Sequence, residues 1–125
     1  MKRKKIYIAY TGGTIGMKKS SKGYIPAEGF LTQTVKASAE FNREEMPLFD
    51  IHEYCPLIDS SDMSPLHWQL IGDDIKQKYA DYDGFVVLHG TDTMAYVASA
   101  LSFMLENLAK PVVITGSQIP FCEVY

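Results

Sequence analysis

The sequence has few of the features that mark a disulfide-rich, metal-binding or membrane-spanning protein. Its 125 residues include only two cysteines, Cys55 and Cys122, which are far apart and have no CxxC spacing. No histidine pattern accompanies them, so neither a zinc site nor a disulfide framework is predicted. The hydrophobic runs are too short for a membrane span or for the apolar core of a signal peptide. We therefore expect a cytoplasmic protein with no metal and no membrane partner.

An excess of positive charge is also missing, since the formal net charge is −3 at pH 7. A nucleic-acid-binding surface usually shows as clustered positive charge. The one basic run, at residues 2–5, could touch phosphate or anionic lipid, but it is more typical of a solvated lead-in to a strand. No nucleic-acid partner is predicted. The remaining composition, 46% hydrophobic and 22% charged, is that of an ordinary globular protein, long enough for one α/β domain.

Strand-like and helix-like segments alternate along the chain. Short apolar segments typical of buried parallel strands are at 6–10, 85–88 and 112–114, with a weaker strand at 48–54 and a last one at 121–125. Three segments show helical periodicity: residues 31–41, the segment that follows an N-cap and first-turn proline at 64–65, and residues 94–108. Residues 12–29 show neither period and are predicted to be a long functional loop. The alternation predicts an α/β fold, a parallel sheet with helices on both faces.

Glycine and hydroxyl residues crowd the turns that leave the carboxyl ends of these strands. A parallel sheet of this class binds its ligands beyond the carboxyl ends of the strands. We therefore expect the functional site at this edge, built from the four turns at 11–14, 60–62, 89–92 and 115–118.

The turn after the first strand, residues 11–16, allows three interpretations. Its glycines could cradle a phosphate, but the chain has no GxGxxG and no GK[ST] here. The glycines could instead bring the backbone close to a small substrate, with Thr14 presenting a hydroxyl and N–H groups stabilising an oxyanion, as acyl transfer requires. In the third interpretation, Gly12 and Gly13 only make a tight turn that Thr14 caps.

The turn at 89–93 is open in the same way. Thr91 and Asp92 place a hydroxyl and a carboxylate at a strand end, yet either residue could simply be the N-cap of the next helix. His89 suggests a general base. Because no GxSxG elbow or Cys–His pairing surrounds it, a histidine satisfied by hydrogen bonds at the strand end is the favoured interpretation.

Taken together, the segments at these turns resemble bacterial L-asparaginases, and most closely the type I, cytoplasmic branch. The matching segments are YTGGTIGM at 10–17, DSSDM at 59–63, LHGTDTM at 88–94 and TGSQIP at 115–120. The resemblance implies a flavodoxin-like N-terminal catalytic domain, most of which is formed by residues 1–125. It places the rest of that domain and a smaller C-terminal domain outside this chain.

The resemblance also implies catalytic roles for particular residues. Thr14 matches the family's nucleophilic threonine, Tyr24 matches the tyrosine of a mobile loop that helps to activate it, and Thr91 matches the second catalytic threonine. The implied reaction is a double displacement, in which a threonine ester of the substrate forms and water then hydrolyses it. The family's catalytic lysine has no counterpart here, so this chain alone is expected to be inactive.

The substrate implied by the resemblance is L-asparagine, with glutamine as a minor substrate. Ser60 matches the residue that binds the α-carboxylate, and Asp92 matches the one that binds the α-ammonium group. Asp59 and Ser61 belong to the binding turn of Ser60. No cofactor is implied. The implied partner is a second copy of the protein, in a homodimer or homotetramer whose active sites are shared between subunits.

Two other functions remain as alternatives. One is the asparaginase-like subunit of a tRNA-dependent amidotransferase, which carries additional N-terminal sequence; a chain that starts at its first strand disfavours it. The other is a non-catalytic, flavodoxin-like module that binds a small ligand. Release of ammonia from asparagine, with no nucleotide retained on purification, separates the enzyme from the module.

Overall fold

The computed structural model describes residues 3–59, 62–91, 94–105 and 109–123, apart from the side chains at positions 103, 104 and 122. The regular elements in chain order are β1 Lys5–Tyr10, β2 Lys18–Ser20, β3 Gly23–Ile25, α1 Phe30–Ala37, β4 Leu48–Glu53, α2 Pro65–Lys78, β5 Gly84–Leu88, α3 Met94–Met104 and β6 Val112–Thr115. Short 3₁₀ turns are at Thr14–Gly16, Glu40–Asn42 and Phe121–Glu123. The predicted α/β class is confirmed.

The main sheet has four parallel strands in the order β4-β1-β5-β6. The chain moves outward from β1 to β4 and then returns to the other side of β1 to form β5. This reversal makes the gap between β1 and β5 a topological switch point, where open α/β sheets bind their ligands. The strand order is that of flavodoxin-like sheets, as expected.

Helices cover both faces of the sheet, because successive side chains of a strand point to opposite faces. Tyr7 and Ala9 of β1 belong to a core cluster that includes Ile71 of α2 and Val97 of α3. On the opposite face, Tyr10 packs in a second cluster with residues of α1. The two-faced arrangement predicted from the alternation of strands and helices is therefore confirmed.

The segment 12–29, predicted to lack regular structure, contains the two-stranded antiparallel hairpin of β2 and β3. The prediction missed it because the hairpin has no hydrophobic alternation: every position of β3 is exposed. Local bonds hold it instead. The Ser20 hydroxyl donates to the Gly23 carbonyl at 2.7 Å, and Gly23 has a φ of 95°.

Helix α1 ends at Ala37, earlier than the predicted end at Phe41, and Ala39 is exposed rather than on the buried face. A side-chain cap explains the early end. The amide of Asn42 donates to the carbonyl oxygens of Lys36 and Ser38, which lie at the end of the helix. Two further boundaries were wrong: α3 ends at Met104, before the predicted stop at 110–111, and 121–123 is a 3₁₀ turn rather than a strand.

Two helix starts near the sheet edge, those of α1 and α2, are capped. The predicted cap of α2 is confirmed, with Ser64 and His67 forming a reciprocal capping box ahead of Pro65. The N-cap of α1 is a glycine, Gly29, so the cap comes from elsewhere: the carboxylate of Glu53 accepts the N–H of Gly29 at 2.9 Å and that of Thr32 at 3.2 Å. Glu53 ends β4, so this cap ties α1 to the edge where the site is expected.

Asp74 of α2 joins the helix to the sheet through two tyrosines. It accepts the hydroxyl of Tyr7 at 2.8 Å and that of Tyr54 at 2.7 Å, and Lys78 pairs with it at 3.4 Å. Burial, together with the neighbouring carboxylate, raises the pKa of both tyrosines above the ordinary value of 10.0. The stabilising effect of the neutral hydroxyls is therefore fully present below about pH 10 and is lost as the pH rises through the folded-state values.

We expect Asp74→Ala to lower the free energy of unfolding by about 2–4 kcal/mol, because it leaves two buried hydroxyls without an acceptor. Urea denaturation of the full-length protein measures the change. Asp73→Ala is the matched control, since Asp73 is exposed on the same helix and its bond from Gln69 is at the surface. The control should change stability by less than about 0.5 kcal/mol. Equal effects of the two substitutions would contradict a structural role for the tyrosine pair.

Candidate active site

A cavity of about 210 Å³ opens at the carboxyl ends of β1 and β5, at the topological switch point. It lies below the range of about 300–1,000 Å³ that is usual for drug-sized ligands, so its size suits a small molecule. Three of the predicted site residues, Thr14, Asp59 and Thr91, line it together. The other lining residues are Tyr10, Gly13, Met17, Pro26, Leu57, Ile58 and Gly90.

Two glycines allow the turns around the cavity to meet backbone to backbone. Gly13 has a φ of 104°, and a Cβ there would lie 2.7 Å from the Cα and N of Gly90. A Cβ on Gly12 would lie 2.1 Å from the carbonyl oxygen of Ile58. Both distances are shorter than any real Cβ contact. The glycines thus do more than tighten a turn: they bring the turns after β1 and β5, and the segment after β4, into direct contact.

Hydrogen bonds fix the same three segments. Thr11 is 1% exposed, and both its N–H and its hydroxyl donate to the Leu88 carbonyl, at 3.0 Å and 2.8 Å. The Thr11 carbonyl in turn accepts the N–H of Ile58 at 2.7 Å. These bonds anchor the turn that carries Thr14 to β5 on one side and to the segment after β4 on the other.

Tyr10 supports the turn from beneath, and sequence reasoning missed it. Its hydroxyl donates to the Gly13 carbonyl at 2.9 Å. Burial, with a contribution from the Glu53 carboxylate, raises the pKa of Tyr10 to about 12, so the hydroxyl keeps its proton at neutral pH. A Cβ on Gly16 would lie 2.3 Å from the Tyr10 ring, which explains the third glycine of the loop. The presence of Gly16 six residues after Tyr10 was the one feature of the sequence that could have indicated this packing.

Thr14 is the first residue of the 3₁₀ turn Thr14–Gly16, and Gly13 occupies the N-cap position. The capping interpretation of Thr14 is therefore not supported. Its carbonyl accepts the Met17 N–H at 3.0 Å, and its side chain is half-buried on the cavity wall. A threonine on a backbone-lined cavity wall, next to turn amides, supplies the two kinds of group that attack on a carbonyl requires, a hydroxyl and N–H donors.

Thr91 lines the cavity from the turn after β5, where it follows His89 and Gly90. His89 is 1% exposed and does not line the cavity, so a general-base role is not supported. Burial lowers its pKa, and the imidazole is therefore neutral. The favoured interpretation, a histidine satisfied at the strand end, is half right: Nδ1 bonds the Gly90 carbonyl, whereas Nε2 has no partner among the described residues.

The remaining predicted site residues are Ser60, Ser61, Asp92 and Tyr24. Ser60, Ser61 and Asp92 lie outside the described residues. Tyr24 is on β3, 45% exposed, and does not line the cavity, although Met17 and Pro26 on either side of the hairpin do. The described ranges contain no group of three or more His, Cys, Asp or Glu side chains that could hold a metal ion. No helix within those ranges has the length and apolar character needed to cross a membrane.

Comparison with known proteins connects this geometry to one family. The model of the asparaginase N-terminal domain matches residues 5–125. L-asparaginase 1 of Escherichia coli K12 is 66% identical over 124 residues, which are 99% of this chain and 37% of that protein. The crystal structure of L-asparaginase I from Vibrio cholerae superposes with a TM-score of 0.92 at 66% identity, covering 98% of this chain and 37% of that one.

A more distant relative represents the amidotransferase alternative. A glutamyl-tRNA(Gln) amidotransferase component from Thermococcus kodakarensis is 43% identical over 119 residues, which are 90% of this chain and 26% of that protein. The lower identity does not favour that alternative.

This chain spans 37% of the length of its L-asparaginase relatives, little more than a third. The family match over nearly the whole chain and the shared fold together establish that the chain belongs to the asparaginase family and corresponds to the family's N-terminal domain.

Proposed function

We propose that the full-length protein hydrolyses L-asparagine to L-aspartate and ammonia, and that this chain forms most of its N-terminal catalytic domain. The observation that carries the proposal is the cavity at the switch point, where the turns of Thr14 and Thr91 meet at a Gly13–Gly90 contact and both threonines line the wall. The name of the E. coli relative, L-asparaginase 1, supports the same reaction. The rest of the catalytic domain and a smaller C-terminal domain complete the protein.

In the proposed mechanism, the Thr14 oxygen attacks the side-chain carboxamide carbon of asparagine, and the Thr14 proton is passed on to the leaving nitrogen. Backbone N–H groups stabilise the tetrahedral oxyanion, the C–N bond breaks, and ammonia leaves an aspartyl ester on Thr14. Water then attacks the ester carbon with help from Thr91, releasing aspartate and restoring the hydroxyl. Tyr24 assists the first step when the hairpin closes. No metal or cofactor takes part.

Four residues are assigned to binding the amino-acid part of the substrate. Ser60 binds the α-carboxylate and Asp92 binds the α-ammonium group. Asp59 and Ser61 flank Ser60 and complete its turn. Asp59 supports this assignment because it lines the cavity beside Thr14. Charge-assisted bonds to both ends of a zwitterion select α-amino acids.

We propose further that the protein is a cytoplasmic homodimer or homotetramer, in which a neighbouring subunit completes each active site. Large apolar side chains on the outer surfaces of α2 and α3 support association: Leu66 is 81% exposed and Tyr96 is 68% exposed. Exposed apolar groups of this size are common at contacts between subunits.

The test is an assay of ammonia release from asparagine by the full-length protein, together with its intact mass and the absorbance spectrum of the purified sample. We expect asparagine hydrolysis without added tRNA or ATP, slower hydrolysis of glutamine, and no retained nucleotide. Residues 1–125 alone are the control and should be inactive. Hydrolysis that requires charged tRNA would favour the amidotransferase, and a nucleotide retained without hydrolysis would favour the binding module.

The hairpin of β2 and β3 is expected to close over the substrate. All of β3 is exposed, and an isolated two-stranded hairpin is marginally stable. Lys18 Nζ lies 5.7 Å from the centre of the Phe30 ring, a weak contact that holds the hairpin near α1. In the full-length protein, amides of residues 17–29 should exchange hydrogen quickly without ligand and at least ~10-fold more slowly with saturating aspartate. Amides of α2 serve as the control. Strong protection of 17–29 without ligand would contradict a closing hairpin.

A further inference from the structure

His89 is held at three points where β5 meets β6. Its N–H donates to the Thr115 carbonyl at 2.9 Å. Its own carbonyl lies against Gly116, where a Cβ would come within 2.3 Å of the carbonyl oxygen. Its ring Nδ1 lies 2.7 Å from the carbonyl oxygen of Gly90. The histidine therefore cannot shift without moving the turn that carries Thr91.

The contact with Gly90 determines which ring nitrogen carries the proton. A carbonyl oxygen only accepts hydrogen bonds, so Nδ1–H must be the donor. The ring is buried and neutral, which leaves Nε2 as an unprotonated acceptor with no partner among the described residues. Among the described residues, the hydrogen bond from Nδ1–H to Gly90 is therefore the contact that the polar atoms of the ring make.

We propose that His89 is a positioning residue for Thr91: its Nδ1–H holds the Gly90 carbonyl and so fixes the plane of the Gly90–Thr91 peptide at the cavity wall. This inference rests on the proposed function for its catalytic consequence. The peptide is planar and trans, so fixing the Gly90 carbonyl also fixes the direction of the Thr91 N–H. The N and Cα of Gly90 lie against Gly13, so the peptide that this bond orients begins at the residue in contact with the turn of Thr14.

The consequence for catalysis is a loss in kcat rather than in substrate binding. His89 does not line the cavity, and its contribution passes through the orientation of one peptide. A peptide that rocks by a fraction of an ångström weakens the alignment of Thr91 with the attacked carbon, which matters most in the transition state. A histidine that only fills space would affect stability and kcat together.

The experiment compares three variants of the full-length protein. His89→Leu removes the donor, whereas His89→Asn keeps a side-chain N–H near the position of Nδ1. We expect His89→Leu to lower kcat by ~10–100-fold with KM within ~3-fold of wild type, and His89→Asn to recover most of the lost kcat. His52→Leu is the matched control, since His52 is exposed on β4; it should leave kcat unchanged. Unchanged kcat in His89→Leu, or equal losses in the Leu and Asn variants, would overturn the proposal.

A second readout does not depend on activity. In the protein labelled with ¹⁵N-histidine, the His89 ring should show a protonated Nδ1 and an unprotonated Nε2 at neutral pH. The amide resonances of Gly90 and Thr91 should shift strongly in His89→Leu and less in His89→Asn. An Nε2–H tautomer, or unmoved Thr91 resonances, would overturn the positioning role. If the tautomer and the resonance shifts in the variants are as expected but the wild type hydrolyses no asparagine, the proposed function fails while the positioning of Thr91 stands.

Discussion

Thr14→Ala in the full-length protein is expected to reduce kcat for asparagine hydrolysis by ~10⁴-fold or more while the substrate still binds. The proposed reaction needs the Thr14 oxygen to form the ester, and within the loop 11–16, all of which the structure describes, no other side chain carries a hydroxyl on the cavity wall. Steady-state ammonia release measures the loss. Rapid quenching followed by peptide mass spectrometry should find the aspartyl adduct on Thr14 in the wild type and on no residue of the variant.

Thr91→Val provides the comparison for this experiment. It removes the hydroxyl but keeps the branched shape, so we expect the ester on Thr14 to form and its hydrolysis by water to be lost at least as severely as ester formation is lost in Thr14→Ala. Thr14→Ser, which keeps a hydroxyl, should retain measurable ester formation. An adduct on Thr91 in the wild type, or ester formation persisting in Thr14→Ala, would show that the roles of the two threonines are reversed.

Gly13→Ala is expected to damage both stability and activity severely, although it adds a single methyl group. The added Cβ would lie 2.7 Å from the backbone of Gly90, and the residue would also keep a φ of 104°. The turns after β1 and β5 must then separate, which we expect to lower the free energy of unfolding by about 3 kcal/mol or more and kcat by ~10²-fold or more. Thermal denaturation and the ammonia assay measure the two effects.

Gly23→Ala is the matched control, because Gly23 has a similar φ of 95° but no atom within 4 Å of an added Cβ. Both variants place an alanine at a positive φ, and Gly13 also has a ψ of 173°, a combination that essentially only glycine adopts, at a cost of about 1–3 kcal/mol. A loss in Gly13→Ala that exceeds the loss in Gly23→Ala by more than this strain reports the close approach of Gly13 to Gly90. Similar losses in the two variants would mean that backbone strain alone, and not the contact between turns, makes glycine necessary at position 13.

The parts of the fold that were predictable are those specified by local pattern and burial. The apolar segment of β5 and the spacing of Ile71 and Ile75 in α2 each place a buried face within one short window. The position of the candidate cavity at the carboxyl edge followed from the alternation of elements. The N-cap at Ser64 was predictable for the same reason, since Pro65 follows it directly at the start of α2, whereas its partner His67 was not predicted.

The parts that were missed depend on contacts between residues far apart in sequence. The N-cap of α1 is supplied by Glu53, 24 residues after Gly29, so nothing near the helix start shows it. The need for glycine at position 13 comes from Gly90 on another strand's turn. The hairpin of β2 and β3 was missed for the opposite reason: β3 buries nothing, so no hydrophobic pattern is required to form it.

The contact between Gly13 and Gly90 also bears on efforts to redesign substrate preference. One wall of the cavity is backbone, where any added atom collides with another turn, so variation there would be lost to misfolding before substrate choice could change. The other walls are side chains, including Pro26, Leu57 and Ile58. A mutant library meant to admit a longer amide should therefore randomise those three positions and leave the glycines untouched, since volume can be gained only where a side chain can be shortened.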